Sequence, residues 1–449
     1  MRLGTPFEPL VSGLNRVRIC QMAPSAIAPL STPIALGVLA ISFLVFVAFF
    51  GRIPALRHTP IAWLHRLLMV HIPNGILALD QWLTGGRATA WLFRFGNAAM
   101  YGRHPTILIF FFLLLSVGEY LYLPGAWPRL STFHKVLGFF SIISPYWFLY
   151  LAAYRDPGII TPATHSKYMS HYPYDFALFH PGQVCRTCNL IKPARSKHCA
   201  VCNRCVAKMD HHCVFINTCV GYENQGYFIL LLLTTAWLTT YGAYLGLGLI
   251  TENIQARHPG WRLFKPSSFS WHDYLVLLTF GIQDDVGMGS VTMLALMTTP
   301  LVWGLLGYHM YLIYCGTTTN ESMKWQDWKL EMDDGFAFKR ALPRDRAKDP
   351  RWEASWTRWP VESVQVLVRT DDGSFPEAGD HAPGVGDWER VWHLRDVENL
   401  YDLGFRDNLV DVFIPGYSFR DETVTDEERG RRSKKPKQTR ASAVVDAAT

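Results

Sequence analysis

Charge is missing from long stretches of this 449-residue chain. Residues 33–50, 136–154, 227–250 and 290–313 contain no Asp, Glu, Lys or Arg, and 105–123 contains only Glu119. Each run is close to the roughly 20 apolar residues that a helix needs to cross a bilayer. One such run would suit a buried core helix; five together argue against a soluble domain and for a polytopic α-helical membrane protein. The first run starts too late and runs too long for a signal peptide, and no clear small-residue cleavage site follows, so it reads as a retained anchor. The apolar stretch 274–281 is too short to cross and reads as interfacial.

Cysteine is scarce outside one window. Seven of nine lie between Cys185 and Cys219, the others being Cys20 and Cys315. The window also holds His198, His211 and His212, and no apolar run long enough to build a core. Metal must therefore supply its folding energy. Structural zinc takes four thiolate or imidazole ligands, commonly paired two to four residues apart. Two ions need eight donors and the window offers ten. One cysteine and one histidine are left over, beside Asp210, and a thiol, an imidazole and a carboxylate together suit an activated nucleophile. Spacing alone leaves the partition of ligands open.

Arginine bias gives an expected orientation. The loop 51–104 carries Arg52, Arg57, Arg66, Arg87, Arg94 and Arg103 against Asp80, whereas 124–134 carries only Arg129. The first loop is expected in the cytosol, and parity then puts the cysteine-rich segment 180–225 there too. The N-terminus 1–32 and the loop 251–289 become lumenal, and the tail 314–449 cytosolic; Arg2, Arg16 and Arg18 run against this assignment. Eight cysteines then face a reducing compartment, with Cys315 at its boundary, where thiolates persist as ligands or nucleophiles. Cys20 reads as an idle lumenal thiol. Residues 61–70 have the spacing of a helix on the membrane surface, with a packed re-entrant element as the alternative. Residues 155–182 read as a polar connector. In the tail, 343–350 and 371–387 read as loops, and 399–413 is the one densely apolar stretch. The basic run 429–437 suits anionic lipid headgroups rather than nucleic acid.

The pattern Cys185-x2-Cys188-x3-Lys192-Pro193-x-Arg195-x2-His198-Cys199-x2-Cys202-x2-Cys205-x4-Asp210-His211-His212-Cys213-x5-Cys219-Val220-Gly221-x2-Asn224 resembles the cysteine-rich domain of the DHHC protein S-acyltransferases. Thr318-Thr319-Asn320-Glu321 resembles that family's Thr-Thr-x-Glu element. The stretch 399–413 resembles its C-terminal aromatic-and-asparagine motif, with Asn408 at the asparagine position. The extra first span and the tail motif are similar to the fungal spore-wall-formation branch.

The resemblance implies one zinc on Cys185, Cys188, His198 and Cys205, and a second on Cys199, Cys202, His212 and Cys219. Asp210, His211 and Cys213 then form the catalytic trio. It implies a palmitoyltransferase taking palmitate from palmitoyl-CoA through a Cys213 thioester to cytosolic juxtamembrane cysteines. For the spore-wall branch it implies the endoplasmic reticulum membrane and clients such as SNAREs. Arg186, Lys192, Arg195, Lys197, Arg204 and Lys208 are expected to hold the CoA phosphates, and Asn224, Thr319, Glu321 and Asn408 to brace the domain. Val214-Phe215 stands where the family has Pro-Trp, and Thr218 where Asn is common. Cys315 reads as an inert packing cysteine. The rival reading is a membrane-anchored zinc interaction module, such as a ubiquitin-ligase-like domain, which would use every Cys and His as ligand or filler.

Overall fold

A computed structural model describes Leu44, Val47 and residues 59–101, 104–264, 269–343, 345–377 and 383–420. Apart from Leu44 and Val47, the expected first span 33–50 lies outside the described residues, as do Cys20 and the basic run 429–437. The chain divides into two compact units, residues 1–100 and 101–449.

In the first unit, helix α1 (Pro60–Arg66) passes through a π-helical turn (Leu67–His71) into α2 (Ile72–Thr84). Pro60 opens α1, where its missing N–H costs nothing. Gly85, at φ 68°, ends α2 in the left-handed region that a side chain disfavours. Helix α3 (Arg87–Tyr101) follows, its first turn tied to α2 by Asp80, whose carboxylate accepts the Thr89 N–H at 2.9 Å. The helical segment expected over 61–70 thus continues to Thr84.

The second unit is built on α4 (Thr106–Ala126), α5 (Thr132–Tyr154), the short α6 (His165–Met169), α7 (Gln225–Arg257), α8 (Trp271–Gln283) and α9 (Val286–Tyr314). Among the described residues, α4 with the 3-10 turn that follows it, α5, α7 and α9 are long and apolar enough to cross a membrane. Helices α5 and α9 begin ahead of their apolar stretches at capping side chains: Ser131 starts α5 and Asp285 starts α9, each accepting a backbone N–H. Helix α7 packs on both α5 and α9, and α9 also packs on α4. Without water outside, apolar contact alone gives membrane helices little reason to associate, so close approach and interhelical hydrogen bonds matter. A Cβ on Gly246 would stand 2.0 Å from Thr292 Oγ1, so only glycine lets α7 and α9 meet there. Trp237 donates to Ser141 at 2.8 Å, and Tyr122 to the Gly242 carbonyl at 2.8 Å.

Two short hairpins, β1 (Lys197–Cys199) with β2 (Arg204–Val206) and β3 (His211–Cys213) with β4 (Thr218–Val220), precede α7. After α9 come α10 (Thr319–Asp333), strands β5 (Ala337–Ala341), β6 (Gln365–Arg369) and β7 (Val385–Arg390), and α11 (Phe405–Phe413). The sheet is antiparallel in the order β6-β5-β7.

Here the structure departs from expectation. The connector 155–182 is no polar linker. Tyr172, Tyr174 and Phe176 are buried in one core with Trp325, Trp359, Val366 and Tyr401 from the tail. The tail has order well beyond 399–413, and β7 begins inside the stretch read as a loop. The reason is spacing: β5, β6 and β7 are five or six residues each, and β5 finds its partners only across 23 residues to β6 and 43 to β7.

Candidate active site

The hairpins present the ligands. Antiparallel register places His198 opposite Cys205 and His212 opposite Cys219. Cys185, Cys188, His198 and Cys205 gather their donor atoms into one cluster, and Cys199, Cys202, His212 and Cys219 into another. From His198 Nδ1 the sulfurs of Cys185, Cys188 and Cys205 stand at 3.5, 3.4 and 3.7 Å. From His212 Nδ1 those of Cys199, Cys202 and Cys219 stand at 3.7, 3.4 and 3.7 Å. Donors around a tetrahedral zinc with bonds near 2.0–2.3 Å are roughly 3.5–3.8 Å apart. Both tetrads fit that ion. In each, the N–H of the second cysteine also donates to the sulfur of the first at 3.4 Å.

Asp210, His211 and Cys213 stay outside both tetrads. Asp210 Oδ2 accepts the His211 Nδ1–H at 2.6 Å, which leaves Nε2 as the ring's free nitrogen. Thr319 closes the other side, donating its N–H to Oδ1 and its hydroxyl to Oδ2, both at 2.8 Å. That N–H is free to donate because Thr319 opens α10, where the first helical amides have no partner within the helix. Asp210 is buried, yet these bonds, His211's first, hold its carboxyl below the usual range against the opposing effect of burial. Burial also disfavours the His211 cation, but Asp210 and a hydrogen-bonding contact with Cys213 outweigh it and raise the imidazole to about 10. An imidazole so poised accepts a thiol proton readily.

Cys213 is buried among Leu149, Ala152, Ile216, Phe228 and Ile313. Ile216 lies in the turn between β3 and β4 and the others belong to the ends of α5, α7 and α9 nearest the hairpins, so the sulfur sits where the zinc-candidate segment meets the helix bundle. Phe215 packs edge-on against Phe111 of α4 at 6.0 Å.

The bracing residues are placed as follows. Asn224 accepts the Gly221 N–H and donates to the Ala152 and Cys219 carbonyls at 3.0 and 2.9 Å. Asn408 donates to the Ile313 carbonyl at 2.9 Å, tying α11 to the end of α9. Glu321 completes a capping box with Thr318 and takes a bidentate pair from Arg195 at 2.7 and 2.6 Å. Cys315 is fully buried.

Two of the basic residues expected on the surface are not there. Arg195 and Lys208 are 2 % and 4 % exposed. Lys208 meets Asp411 at 2.7 Å, and Tyr172 donates to both oxygens of Asp411 at 2.8 Å, with Arg358 as a further partner. Burial pushes the Lys208 ammonium down, whereas Lys208, Arg358 and Arg195 together hold Asp411 well below the carboxylate range despite its burial. Arg195 and Lys208 therefore lock the tail onto the cysteine-rich segment. Arg186, Lys197 and Arg204 are exposed and Lys192 is half-buried, so they can meet an anionic ligand.

His309 was invisible to sequence reasoning. It stands alone inside an apolar span, and only the fold brings one of its ring nitrogens close to Asp210 and His211.

A family model described as DHHC palmitoyltransferase matches residues 178–326. The chain is 58% identical over 417 residues to palmitoyltransferase SWF1 of Neurospora crassa, across 89% of this chain and 97% of that protein. It is 41% identical over 403 residues to palmitoyltransferase swf1 of Emericella nidulans, across 85% and 96%. With palmitoyltransferase ZDHHC4 of Mus musculus it shares 28% identity over 323 residues, across 70% and 79%.

Proposed function

The chain belongs to the DHHC palmitoyltransferase family, and on that premise we propose that Cys213 carries the acyl group while palmitate moves onto protein cysteines. It is a multi-pass membrane protein S-palmitoyltransferase of the fungal Swf1 branch, and the reading as a zinc interaction module is set aside. One observation carries the assignment of the nucleophile: after two complete tetrads, the Cys213 thiol remains beside a histidine that a buried carboxylate holds.

The donor in this reading is palmitoyl-CoA. His211 takes the Cys213 proton, and the thiolate attacks the thioester carbonyl carbon. The carbon–sulfur bond to CoA breaks, and the departing CoA thiolate receives the proton from His211. In the second half, His211 takes the proton of a client thiol and that sulfur attacks the Cys213 thioester. The client thioester forms, and Cys213 leaves as a thiolate that regains the proton. One thioester replaces another at each stage, so the enzyme supplies position and thiolate rather than energy. Asp210 keeps the ring in the right tautomer and stabilises its cation. Zinc on the two tetrads would hold the hairpins folded.

A palmitoyl chain gains about 0.8 kcal/mol per buried methylene, which favours the helix bundle beside Cys213 over water. The clients are membrane proteins with cysteines next to a span, SNAREs among them, and the site faces the cytosol at the endoplasmic reticulum membrane. Arg186, Lys192, Lys197 and Arg204 remain as contacts for the CoA phosphates.

The test is incorporation of a clickable palmitate analogue into purified protein, read as hydroxylamine-labile label. Cys213→Ala is expected to abolish the label while both zinc ions stay bound. Undiminished label in that variant overturns the assignment.

A further inference from the structure

His309 lies in membrane helix α9 and is 5 % exposed. A nitrogen of its ring, a nitrogen of His211 and a carboxylate oxygen of Asp210 all lie within 4.8 Å of one another. Its ring centroid is 5.7 Å from that of His211, at an interplanar angle of 32°. Phe228 of α7 touches both: it stands 5.3 Å from His211 at 72° and 5.1 Å from His309 at 81°. Three rings from three elements thus enclose one another beside the buried carboxylate.

The hydrogen bond from His211 to Asp210 anchors one ring nitrogen. It does not set the ring plane, because the torsion of an imidazole about its last side-chain bond is broad. A proton-transfer group is effective only while its second nitrogen faces the reacting sulfur. Rings packed against His211 from α7 and α9 restrict that rotation. A hydrocarbon at 309 would suffice for packing alone. An imidazole in an apolar helix costs desolvation of its polar atoms, and polar side chains kept inside a membrane segment commonly serve the site they face.

We infer that His309 is a positioning residue for the catalytic imidazole, acting through both its ring and its polar edge on the Asp210–His211 pair. The inference rests on His211 being the base. It places one element of the acyl-transfer site inside the bilayer-spanning helix, so the packing of α9 against α7 bears directly on the rate of chemistry.

The experiment compares His309→Phe, His309→Gln and His211→Ala in full-length protein in detergent micelles, with bound zinc, single-turnover labelling rate and the palmitoyl-CoA concentration for half-maximal rate as readouts. General acid–base groups contribute about 10²–10⁴-fold, and loss of their aim removes part of that. His309→Phe is expected to keep both zinc ions and the half-maximal concentration while labelling slows about tenfold. His309→Gln is expected to recover most of that loss, because an amide restores a polar edge. A wild-type rate in His309→Phe overturns the inference, and so does a Gln variant no faster than the Phe variant. Unimpaired labelling in His211→Ala sinks the underlying assignment of the base instead, so the two failures are distinct.

Discussion

Strand β1 reads Lys197-His198-Cys199 and strand β3 reads His211-His212-Cys213, and the two hairpins share one register. Every ligand of the second tetrad stands fourteen residues after its counterpart in the first: 185 to 199, 188 to 202, 198 to 212 and 205 to 219. Continued once more, the step takes Cys199 to Cys213, but Cys202 to Ile216 and His212 to Gly226. Cys213 therefore occupies the first ligand position of a third site whose remaining members are absent. The proposed nucleophile thus stands at a ligand position that has lost its fellow donors.

Surroundings account for the rest of the difference. In the first hairpin Lys197 is exposed, and Ser196 donates only to the nearby Pro193 carbonyl at 2.6 Å. In the second, the matching His211 is covered by Phe228 and His309, and the matching Asp210 is gripped by Thr319. One backbone plan gives a metal-ligand clip packed on the tail core and a candidate chemical site against the helix bundle.

The comparison breaks most sharply on the two equivalent cysteines. Cys199→Ala should release the second zinc and collapse folded yield, whereas Cys213→Ala should keep both ions and lose all label; metal analysis and labelling of the pair decide it. Asp210→Asn comes next. His211 is raised to about 10, so its cation is favoured across neutral pH, and that advantage fades only as pH climbs through about 10. Without the carboxylate the imidazole should drop towards its ordinary range near 6.5. Labelling at pH 7 should then fall about a hundredfold and recover partly in alkali, as hydroxide takes over deprotonation. A pH–rate profile that keeps its wild-type shape and height would refute the role of Asp210.

Asp411→Asn addresses the lock between tail and hairpins. It leaves Lys208 and Arg358 buried without their anion, a change that typically costs about 3–5 kcal/mol. The expected result is a clear fall in thermal midpoint, measured with zinc still bound. Thr319→Ala removes one hydroxyl donor from Asp210 and should cost about 1 kcal/mol, or roughly fivefold in labelling rate. The mildest change sharpens the repeat itself. Ile216→Cys gives Cys213 the partner that Cys199 has in Cys202, and added zinc should slow labelling a few-fold, reversibly on chelation. Indifference to zinc would mean that position 216 does not decide the fate of Cys213.

Much of the site was legible because its members are close in the chain. Counting ten donors against eight places isolated a spare thiol and imidazole, and the trio lies within four residues. Arg195 and Lys208 were misread as surface charges because their partners, Glu321 and Asp411, lie more than a hundred residues away. The connector 155–182 looked polar for a similar reason: its tyrosines face a tail core that no local periodicity announces.

By itself the chain marked its long apolar stretches and a window of ten donors, two more than a pair of zinc sites needs, since apolar length and ligand spacing act over a few turns of backbone and need no knowledge of the fold. Only the tertiary structure decided that α10 holds Asp210, that His309 reaches the site from within α9, and that the tail closes over buried cations. Those contacts join segments far apart in sequence, and burial chooses among the partners that composition alone leaves equivalent.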